Sequence, residues 1–518
     1  MYFRNFSALF LTLLFSQNVV SFKILAIVSA PLRSHYMAFQ NLFNELAYRG
    51  HTVTVINNYP NEWPITNLQF VDISSNNTNY AGYFTPLEFY ETFDSTYLHL
   101  YNFFRHFQIT PDACRADCEN LFTNENARTH LAEDVKYDVI FAEQFIGDCG
   151  LAYVGAYFDA PIIGITSHVL LPLSYSRLGL PFDVSSEPFY FSKSGPNPSL
   201  YYKVEAFVLN HFYNTVGRWY NQRAVYEVFY RFLPDFALDI EKIAEERIKM
   251  VFAYQHFSLT GSRIQSPHVL EIGGIHIGKP KPMPENVEQF LADAEFGAIY
   301  VSFGSNLKAN SMSAAKMQQF LDAFKKIPQK VIWKYENATF HENQSVFAYN
   351  WFPQLDILCH PKVLGFVTHG GMLSLSETTY CGKPVLVIPF FGDQFSNAAA
   401  AEAIGLGKII YFDKLNSDNL VDGIRELTTQ KMQQNAKKIS ELWRDRPMNV
   451  MDSAIYWTEY VARHGSGPPP LPSQRTTWFE RSLIDVIIIL SCLFLIILYV
   501  IFKIMRLISF VLKLFKNS

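Results

Sequence analysis

The chain has 518 residues, of which 49% are hydrophobic and 16% aromatic, and its formal net charge is −4. This length suggests about two or three domains, and the slightly acidic balance without a basic block argues against nucleic acid as a partner. The apolar content is sufficient for large cores and for an apolar binding cavity.

The chain begins with a segment typical of secreted or membrane proteins. Residues 1–21 carry one arginine, then an apolar run at 8–15, and end in small and apolar residues. The apolar run is too short to span a bilayer. The pattern therefore predicts a cleaved signal peptide over 1–21, with a buried first helix as the alternative.

A βαβ unit follows the signal. Residues 22–28 and 52–56 predict buried strands, and residues 36–48 between them show helical spacing. These elements predict the start of a doubly wound α/β domain, whose sheet edge binds ligands. His35 ends the loop at 29–35, at that edge, although capping or packing is the commoner role for such a histidine.

Residues 137–143 predict a later strand of the same domain, which ends in the carboxylate of Glu143. Asp148 follows closely. Taken alone, each of these acids reads as a solvated loop acid. Residues 168–236 are crowded with aromatic side chains, which are usually part of a core.

The cysteines and glycosylation sequons bear on the compartment. Cys114 and Cys118 are close enough in sequence to pair in an oxidising lumen. Buried free thiols are predicted at Cys149, Cys359 and Cys381. Sequons, which are used only in the secretory lumen, begin at Asn76, Asn337 and Asn343. No spacing of cysteine and histidine is typical of a metal site.

A second α/β domain is predicted after the proline-rich break at 279–284, which reads as an interdomain linker. Residues 298–303 predict its first strand. The turn that follows places the backbone N–H and the hydroxyl of Ser305 where a diphosphate can bind.

His369-Gly370-Gly371 lies where a predicted strand at 363–367 passes into a predicted helix at 372–381. The free N–H groups and partial positive charge of a helix N-terminus favour phosphate, and glycines let it approach the backbone. We therefore predict that His369 and Gly371 hold a diphosphate, although an isolated His-Gly-Gly is more often only a turn.

Side chains around this junction suit a nucleoside. Trp351 offers a flat apolar platform for a base, and Gln354 offers a bidentate amide for its edge. Ser374 and Glu377 are three residues apart and share one helix face, where a carboxylate suits a ribose diol. Taken alone, a tryptophan before a proline is more often a packing residue.

The C-terminal part predicts a membrane anchor. Residues 466–472 contain three consecutive prolines and predict a stiff spacer. Residues 486–502 carry no charge and are long enough to span a bilayer. Basic residues follow at 503–516, so the tail is predicted to be cytosolic and the protein to be type I.

After the predicted helix at 372–381, the chain forms a further predicted strand at 385–388. Asp393 and Gln394 follow this strand and offer hydrogen-bonding groups for the hydroxyls of a sugar. Taken alone, they would be a solvated loop tip. Candidate binding residues for a base, a ribose, a diphosphate and a sugar therefore all lie within one segment, 351–394.

This segment closely resembles the signature of the UDP-glycosyltransferase family, whose membrane-bound members transfer a sugar from a UDP-sugar to small lipophilic acceptors. The matching motifs are Trp-x-Pro-Gln at 351–354, Thr-His-Gly-Gly at 368–371 with Glu377 eight residues after the histidine, and Gly-Asp-Gln at 392–394. The resemblance covers nearly all of residues 22–500 and is strongest in the second half. For the aromatic region at 168–236, the resemblance implies an alternative to core packing, in which these residues shape the acceptor pocket and approach the membrane.

The resemblance implies an α/β fold of the GT-B type, with two facing Rossmann-like domains and a single C-terminal transmembrane helix. The predicted divisions are a signal peptide at 1–21, an N-terminal acceptor-binding domain at 22–270, a C-terminal UDP-sugar-binding domain at 271–465, a proline-rich spacer at 466–482, a transmembrane helix at 483–502 and a basic cytosolic tail at 503–518.

The resemblance also implies catalytic roles. His35 matches the family's general base, and Glu143 matches the acid that orients it. Vertebrate members commonly carry aspartate there, so Glu143 resembles the insect branch and leaves Asp148 open as the partner of His35. No Asp-x-Asp motif occurs, so no metal and no cofactor other than the UDP-sugar donor is predicted.

The expected function is inverting, metal-independent transfer of a hexose, with glucose favoured, to a hydroxyl of a small lipophilic acceptor, as in detoxification or in hormone or pigment conjugation. The alternatives are glucuronate transfer, transfer to membrane lipid and, least favoured, non-catalytic UDP-sugar binding. The expected place is the endoplasmic reticulum membrane, with lumenal catalytic domains. A homo-oligomer is compatible with the sequence, which identifies neither the acceptor nor a retention signal.

Overall fold

The computed structural model describes residues 21–61, 63–74, 86–145, 147–264, 266–336 and 345–516. Residues 1–20 of the predicted signal peptide and the sequons at Asn76, Asn337 and Asn343 lie outside these ranges. Within them the chain forms two parallel sheets connected by helices, followed by one long apolar helix.

The first sheet has seven parallel strands, as expected for strands joined by long crossovers. Its strands are β1 (Lys23–Val28), β2 (Thr52–Asn57), β3 (Leu68–Asp72), β4 (Val139–Glu143), β5 (Ile162–Thr166), β6 (Ile248–Ala253) and β7 (Val269–Glu271). Their spatial order is β3-β2-β1-β4-β5-β6-β7. The apolar, β-branched composition of strands such as β5 follows from burial on both faces.

The helices of the first domain are α1 (Arg33–Tyr48), α2 (Leu87–Thr92), α3 (Ser95–Thr123), α4 (Glu125–Ala132), α5 (Cys149–Tyr157), α6 (Pro172–Arg177), α7 (Leu200–Phe212), α8 (Arg218–Phe232), α9 (Ile240–Arg247) and α10 (Phe257–Thr260). A π-helical turn, Tyr213–Gly217, joins α7 to α8. Helix α1 starts three residues earlier than predicted, so His35 lies in its first turn and not in the preceding loop.

The second sheet has six parallel strands. They are β8 (Ala298–Ser302), β9 (Lys330–Lys334), β10 (Val346–Tyr349), β11 (Val363–Thr368), β12 (Val385–Val387) and β13 (Gly407–Ile409), in the spatial order β10-β9-β8-β11-β12-β13. Its helices are α11 (Glu285–Ala292), α12 (Ala314–Lys325), α13 (Gln354–Cys359), α14 (Met372–Tyr380), α15 (Gln394–Ala403), α16 (Ser417–Leu427), α17 (Gln430–Arg444) and α18 (Val450–His464).

Helix α18 ends the globular part and packs on the first domain. His51 Nε2 lies 3.2 Å from Glu459 Oε1, and Arg49 hydrogen-bonds Asp452. Both partners of α18 follow helix α1, which carries His35 in its first turn. The chain therefore connects the two domains twice, through the linker after β7 and through α18.

Two disulfides correct the cysteine predictions. Cys118 is bonded to Cys149, and Cys359 to Cys381, with Cα–Cα distances of 5.4 and 4.7 Å. The predicted pair of Cys114 with Cys118 is wrong, as is the prediction of free thiols at the other three. Cys114 and Cys118 lie on one helix, α3, whereas Cys149 at the start of α5 meets Cys118 from a second element. Cys114 is buried and takes part in neither disulfide.

The chain continues into a short helix α19 (Trp478–Arg481) and a long helix α20 (Ile484–Lys516). Within α20, residues Ile484–Ser509 are long and apolar enough to cross a membrane, and none of their most apolar window is buried in the protein. This helix contains the predicted transmembrane segment at 483–502 except its first residue.

Candidate active site

A cavity of about 630 Å³ lies between the two domains, at the carboxyl edges of both sheets. Its walls come from residues that follow β1, β4 and β5 in the first domain and β8, β11 and β12 in the second. Open α/β sheets bind ligands at this edge. Ten of the predicted site residues border the cavity: His35, Ser305, Trp351, Gln354, His369, Gly371, Ser374, Glu377, Asp393 and Gln394.

The eleventh predicted residue, Glu143, stands directly behind His35. Its Oε1 lies 2.5 Å from His35 Nδ1, and the two side chains are only 7% and 6% exposed. The ring of His35 is further held by edge contacts with Phe145 and His168, at centroid distances of 4.4 and 4.9 Å. With Nδ1 engaged by the carboxylate, Nε2 is the nitrogen of His35 left for other partners.

Asp148, the alternative partner of His35, is hydrogen-bonded to other side chains. Its two carboxylate oxygens accept hydrogen bonds from Arg177 Nη1 and Nη2 at 2.8 and 2.7 Å. Gln222 Nε2 donates to the same carboxylate at 2.9 Å. Asp148 thus belongs to a buried ion pair, and geometry leaves Glu143 as the neighbour of His35.

His369 is packed between two glycines at the start of α14. A Cβ at Gly304 would lie 2.8 Å from His369 Cε1, and a Cβ at Gly371 would lie 2.5 Å from His369 Nε2. Gly304 also has a φ of +79°, which side chains rarely adopt. Burial, and then the charge of Lys334, lower the pKa of His369 to about 4. The imidazole is therefore neutral near pH 7.

The predicted nucleoside ligands form a connected hydrogen-bond network. Gln354 Nε2 donates to Ser374 Oγ at 3.0 Å and to Glu377 Oε2 at 2.5 Å. Glu377 Oε1 lies 3.3 Å from Nε2 of His276, a residue of the interdomain linker. Asn41 of the first domain donates to the carbonyl of His276 at 2.5 Å. These side chains are held in place across the domain boundary.

Trp351 is 48% exposed at the cavity rim, which leaves ring surface for a ligand. The guanidinium carbon of Arg33, from the first turn of α1, lies 5.2 Å from the centroid of the Trp351 ring. This cation–π contact joins the two domains beside the cavity. The contact of Arg33 with Trp351 was not predictable from the sequence, because the two residues lie far apart along the chain.

Asp393 and Gln394 begin helix α15 and are buried, so the alternative of a solvated loop tip is wrong. Gln394 Oε1 accepts hydrogen bonds from the N–H groups of Phe390 and Phe391 at 2.9 and 3.2 Å. Asn397 Nδ2 donates to Asp393 Oδ2 at 2.7 Å. Burial raises the pKa of Asp393 to about 6, although the hydrogen bond from Asn397 opposes this.

The first domain supplies cavity residues that the sequence did not identify individually. Helix α3 contributes Asn102 and His106, and the predicted aromatic region contributes His168, Tyr190 and Phe191. Other aromatic residues of that region divide between the core and the surface. Phe189 is fully buried, whereas Trp219 is 58% exposed. Both alternatives for the aromatic region therefore hold, for different residues.

Solved structures with the same architecture define the class of fold. A glycosyltransferase of kitacinnamycin aligns with a TM-score of 0.57 at 18% identity, covering 86% of this chain and 99% of its own. The calicheamicin glycosyltransferase CalG4 aligns with a TM-score of 0.55 at 15% identity and the same coverage. The protein has the predicted GT-B glycosyltransferase fold.

Sequence relatives identify the family within that fold. Residues 23–517 match the family described as "UDP-glucoronosyl and UDP-glucosyl transferase". The UDP-glycosyltransferase UGT4 of Dactylopius coccus is 32% identical over 505 residues, covering 94% of this chain and 95% of its own. UDP-glucuronosyltransferase 2B30 of Macaca fascicularis is 26% identical over 481 residues, covering 89% and 88%. The chain belongs to this family and is a UDP-glycosyltransferase, which confirms the resemblance of its motifs.

Proposed function

We propose that the protein transfers glucose from UDP-glucose to a hydroxyl of a small lipophilic acceptor, with inversion at the anomeric carbon and without a metal ion. The observation that carries this proposal is the buried pair of His35 and Glu143, which borders the same cavity as Asp393 and Gln394 of the other domain. A base and a group of hydroxyl-binding side chains on opposite walls suit in-line displacement.

His35 is the general base of the proposed reaction. Its Nδ1–H donates to Glu143, so the lone pair of Nε2 accepts the proton of the acceptor hydroxyl. The acceptor oxygen forms a bond to the anomeric carbon while the bond from that carbon to the β-phosphate oxygen breaks. UDP leaves with the electron pair of the broken bond. The carboxylate of Glu143 stabilises the imidazolium that forms.

The second domain holds the donor in this proposal. Trp351 stacks on the uracil, Glu377 binds the ribose diol with Gln354 and Ser374 beside it, and Asp393 with Gln394 binds the sugar. The diphosphate lies at the N-terminus of α14, near His369, Gly371 and Ser305, where N–H groups stabilise the leaving group. The chain has no Asp-x-Asp motif to carry a metal at the diphosphate.

The donor sugar is assigned to glucose on the resemblance to insect members, and glucuronate is the second candidate. The relatives support both, because UDP-glucosyltransferase 2 of Dactylopius coccus is 29% identical and the macaque glucuronosyltransferase is 26% identical. Transfer to membrane lipid is a further alternative. Non-catalytic binding of a UDP-sugar is disfavoured because His35, Asp393 and Gln394 are all present.

The proposed setting is the endoplasmic reticulum membrane, with helix α20 as the single span and the catalytic domains in the lumen. An apolar span of 26 residues and two disulfides support this assignment. A lipophilic acceptor would concentrate in the same membrane.

The deciding experiment measures UDP release by the full-length protein in membranes, with a phenolic acceptor and a panel of UDP-sugars. We expect UDP-glucose to give the highest kcat/KM and a β-glucoside as product, which NMR of the anomeric proton identifies. A product that retains the α configuration would reject the single-displacement mechanism. A clear preference for UDP-glucuronate would replace the donor assignment.

A further inference from the structure

The acceptor side of the cavity has a second polar feature, His106 of helix α3. This residue borders the cavity and is 9% exposed. Its ring lies against those of Phe107, Phe191 and Tyr213, at centroid distances of 5.2, 5.5 and 6.3 Å. Its Nε2 is itself buried and has no hydrogen-bond partner among the residues that the structure describes, so a ligand in the cavity pairs with it when the ring turns. Burial lowers the pKa of His106 to about 4, so the ring is a neutral donor and acceptor near pH 7.

A continuous wall of rings connects this histidine to the catalytic one. The centroid of His35 lies 4.9 Å from that of His168, which lies 5.6 Å from Tyr190. Tyr190 lies 4.9 Å from Phe191, and Phe191 lies 5.5 Å from His106. All five rings border the one cavity. A flat apolar molecule that presents a hydroxyl to His35 can therefore follow this wall towards His106.

We propose that His106 is a specificity-determining residue, which hydrogen-bonds a second polar group at the end of an elongated aromatic acceptor remote from the reacting hydroxyl. The preferred acceptors are then diphenols or similar molecules with polar groups at both ends. This inference rests on the proposed function, since it takes His35 as the point of reaction.

The physical reason is the cost of leaving a buried polar atom unpaired. An acceptor that ends in a methyl group covers His106 without pairing its nitrogen, whereas one that ends in a hydroxyl pairs it. The hydroxyl donates and accepts, so either tautomer of a neutral imidazole suits it. We expect a preference in kcat/KM of about tenfold for the hydroxyl, as for one neutral hydrogen bond.

The test compares matched acceptors with the full-length protein in membranes and UDP-glucose as donor. Each pair consists of a diphenol and the monophenol in which a methyl group replaces the distal hydroxyl, over one-ring, biphenyl and stilbene frameworks. Rates are corrected for the two equivalent hydroxyls of each diphenol. We expect the tenfold preference at one framework length, because only that length reaches from His35 to His106. Equal kcat/KM within every pair would overturn the proposal.

Three variants assign the preference to the side chain. His106→Phe should reduce the ratio of diphenol to monophenol towards one, and His106→Gln, which keeps a donor and an acceptor, should restore part of it. His464→Phe is the matched control, because this exposed histidine does not border the cavity. A preference that survives in His106→Phe would overturn the proposal. Should that variant not fold, the wild-type ratios and His106→Gln still decide the proposal. A wild-type preference that His106→Gln lowers is expected, whereas no preference in the wild type, or one that His106→Gln leaves unchanged, refutes it.

A distal carboxylate provides a check on the neighbouring cation. Arg105 also borders the cavity, so each framework is also offered with a carboxylate in place of the distal hydroxyl. A stronger preference for the carboxylate, unchanged by His106→Phe, would assign the distal contact to Arg105 and reject His106. Failure of the proposed function itself is distinguishable, because the wild type would then release no UDP with any phenol.

Discussion

The geometry of His35 and Glu143 predicts how a substitution of Glu143 changes turnover. Glu143→Gln keeps the size of the side chain and an oxygen that accepts the hydrogen bond from Nδ1, but it removes the negative charge. The ground state changes little, because a neutral imidazole needs only an acceptor. The transition state, in which the imidazole gains a positive charge, loses its counter-charge.

The size of the effect follows from the distance and burial of the pair. The two atoms lie 2.5 Å apart, and both side chains are less than a tenth exposed. Opposite charges about 4 Å apart interact by about 4 kcal/mol at an effective dielectric constant of about 20. The glutamine dipole replaces part of this energy, so we expect a loss of about 2–4 kcal/mol. This loss corresponds to ~10²-fold in kcat, and His35→Ala should also lose ~10²-fold or more.

The assay is a double-mutant cycle on kcat, with UDP affinity measured by calorimetry for each variant. If Glu143 acts only through His35, the double variant should be as slow as His35→Ala alone, and UDP affinity should stay near that of the wild type. Additive losses would show that the two residues act independently. Turnover of Glu143→Gln within a few-fold of the wild type would refute the role assigned to the carboxylate.

Four further predictions concern the rest of the site and its anchor. Asp148→Asn should destabilise the protein by about 1–3 kcal/mol, because the buried Arg177 keeps its ion pair with Glu241 but loses the Asp148 charge, yet preserve kcat per folded molecule, as thermal unfolding and active-site titration would show. Trp351→Ala should weaken UDP by ~1–3 kcal/mol in calorimetry, whereas Gln394→Glu should leave UDP affinity unchanged and reduce discrimination between UDP-glucose and UDP-galactose. Burial raises the pKa of Asp393 to about 6, so ionisation of this group lowers the free energy of unfolding progressively as pH rises from about 4 to above 6. Asp393→Asn should therefore gain on the order of 3 kcal/mol over the wild type at pH 7.5 but little at pH 4 in denaturant unfolding. Truncation after residue 480 should release a folded, glycosylated protein into the secretory fluid, and retention of that product in the membrane would contradict the single anchor.

The surroundings of the proposed donor site were predictable because the information that defines them is local. A short strand, two glycines and a helix N-terminus define the surroundings of His369 within a few residues of sequence. The alternation of strands and helices likewise follows from runs of apolar residues, and β1, β2 and β4 each lie within two residues of the predicted bounds. Such features depend on periodicity and turn chemistry and not on distant partners.

The acceptor side was not predictable in the same way, because its contacts join distant segments. From the sequence, Glu143 and Asp148 are equivalent candidates for the partner of His35. The structure separates them, because Arg177, 29 residues after Asp148, binds the Asp148 carboxylate. One contact on the proposed donor side is equally distant along the chain, because Glu377 follows its partner His276 by 101 residues. The disulfide of Cys118 with Cys149 has the same origin, since it joins two helices whose packing no local pattern specifies.

Gln394 shows how such contacts change the design of an experiment. From the sequence, Gln394→Ala would test sugar binding alone, because the side chain was expected to be free for the sugar. In the structure its Oε1 accepts two backbone N–H groups, from Phe390 and Phe391, and this leaves Nε2 for a ligand. Alanine would remove the support of the loop together with the sugar contact, and two buried N–H groups would lose their acceptor. Glutamate keeps that acceptor and replaces the amide donor with an oxygen, at the cost of an added negative charge, so it tests recognition of the sugar without removing the support of the loop.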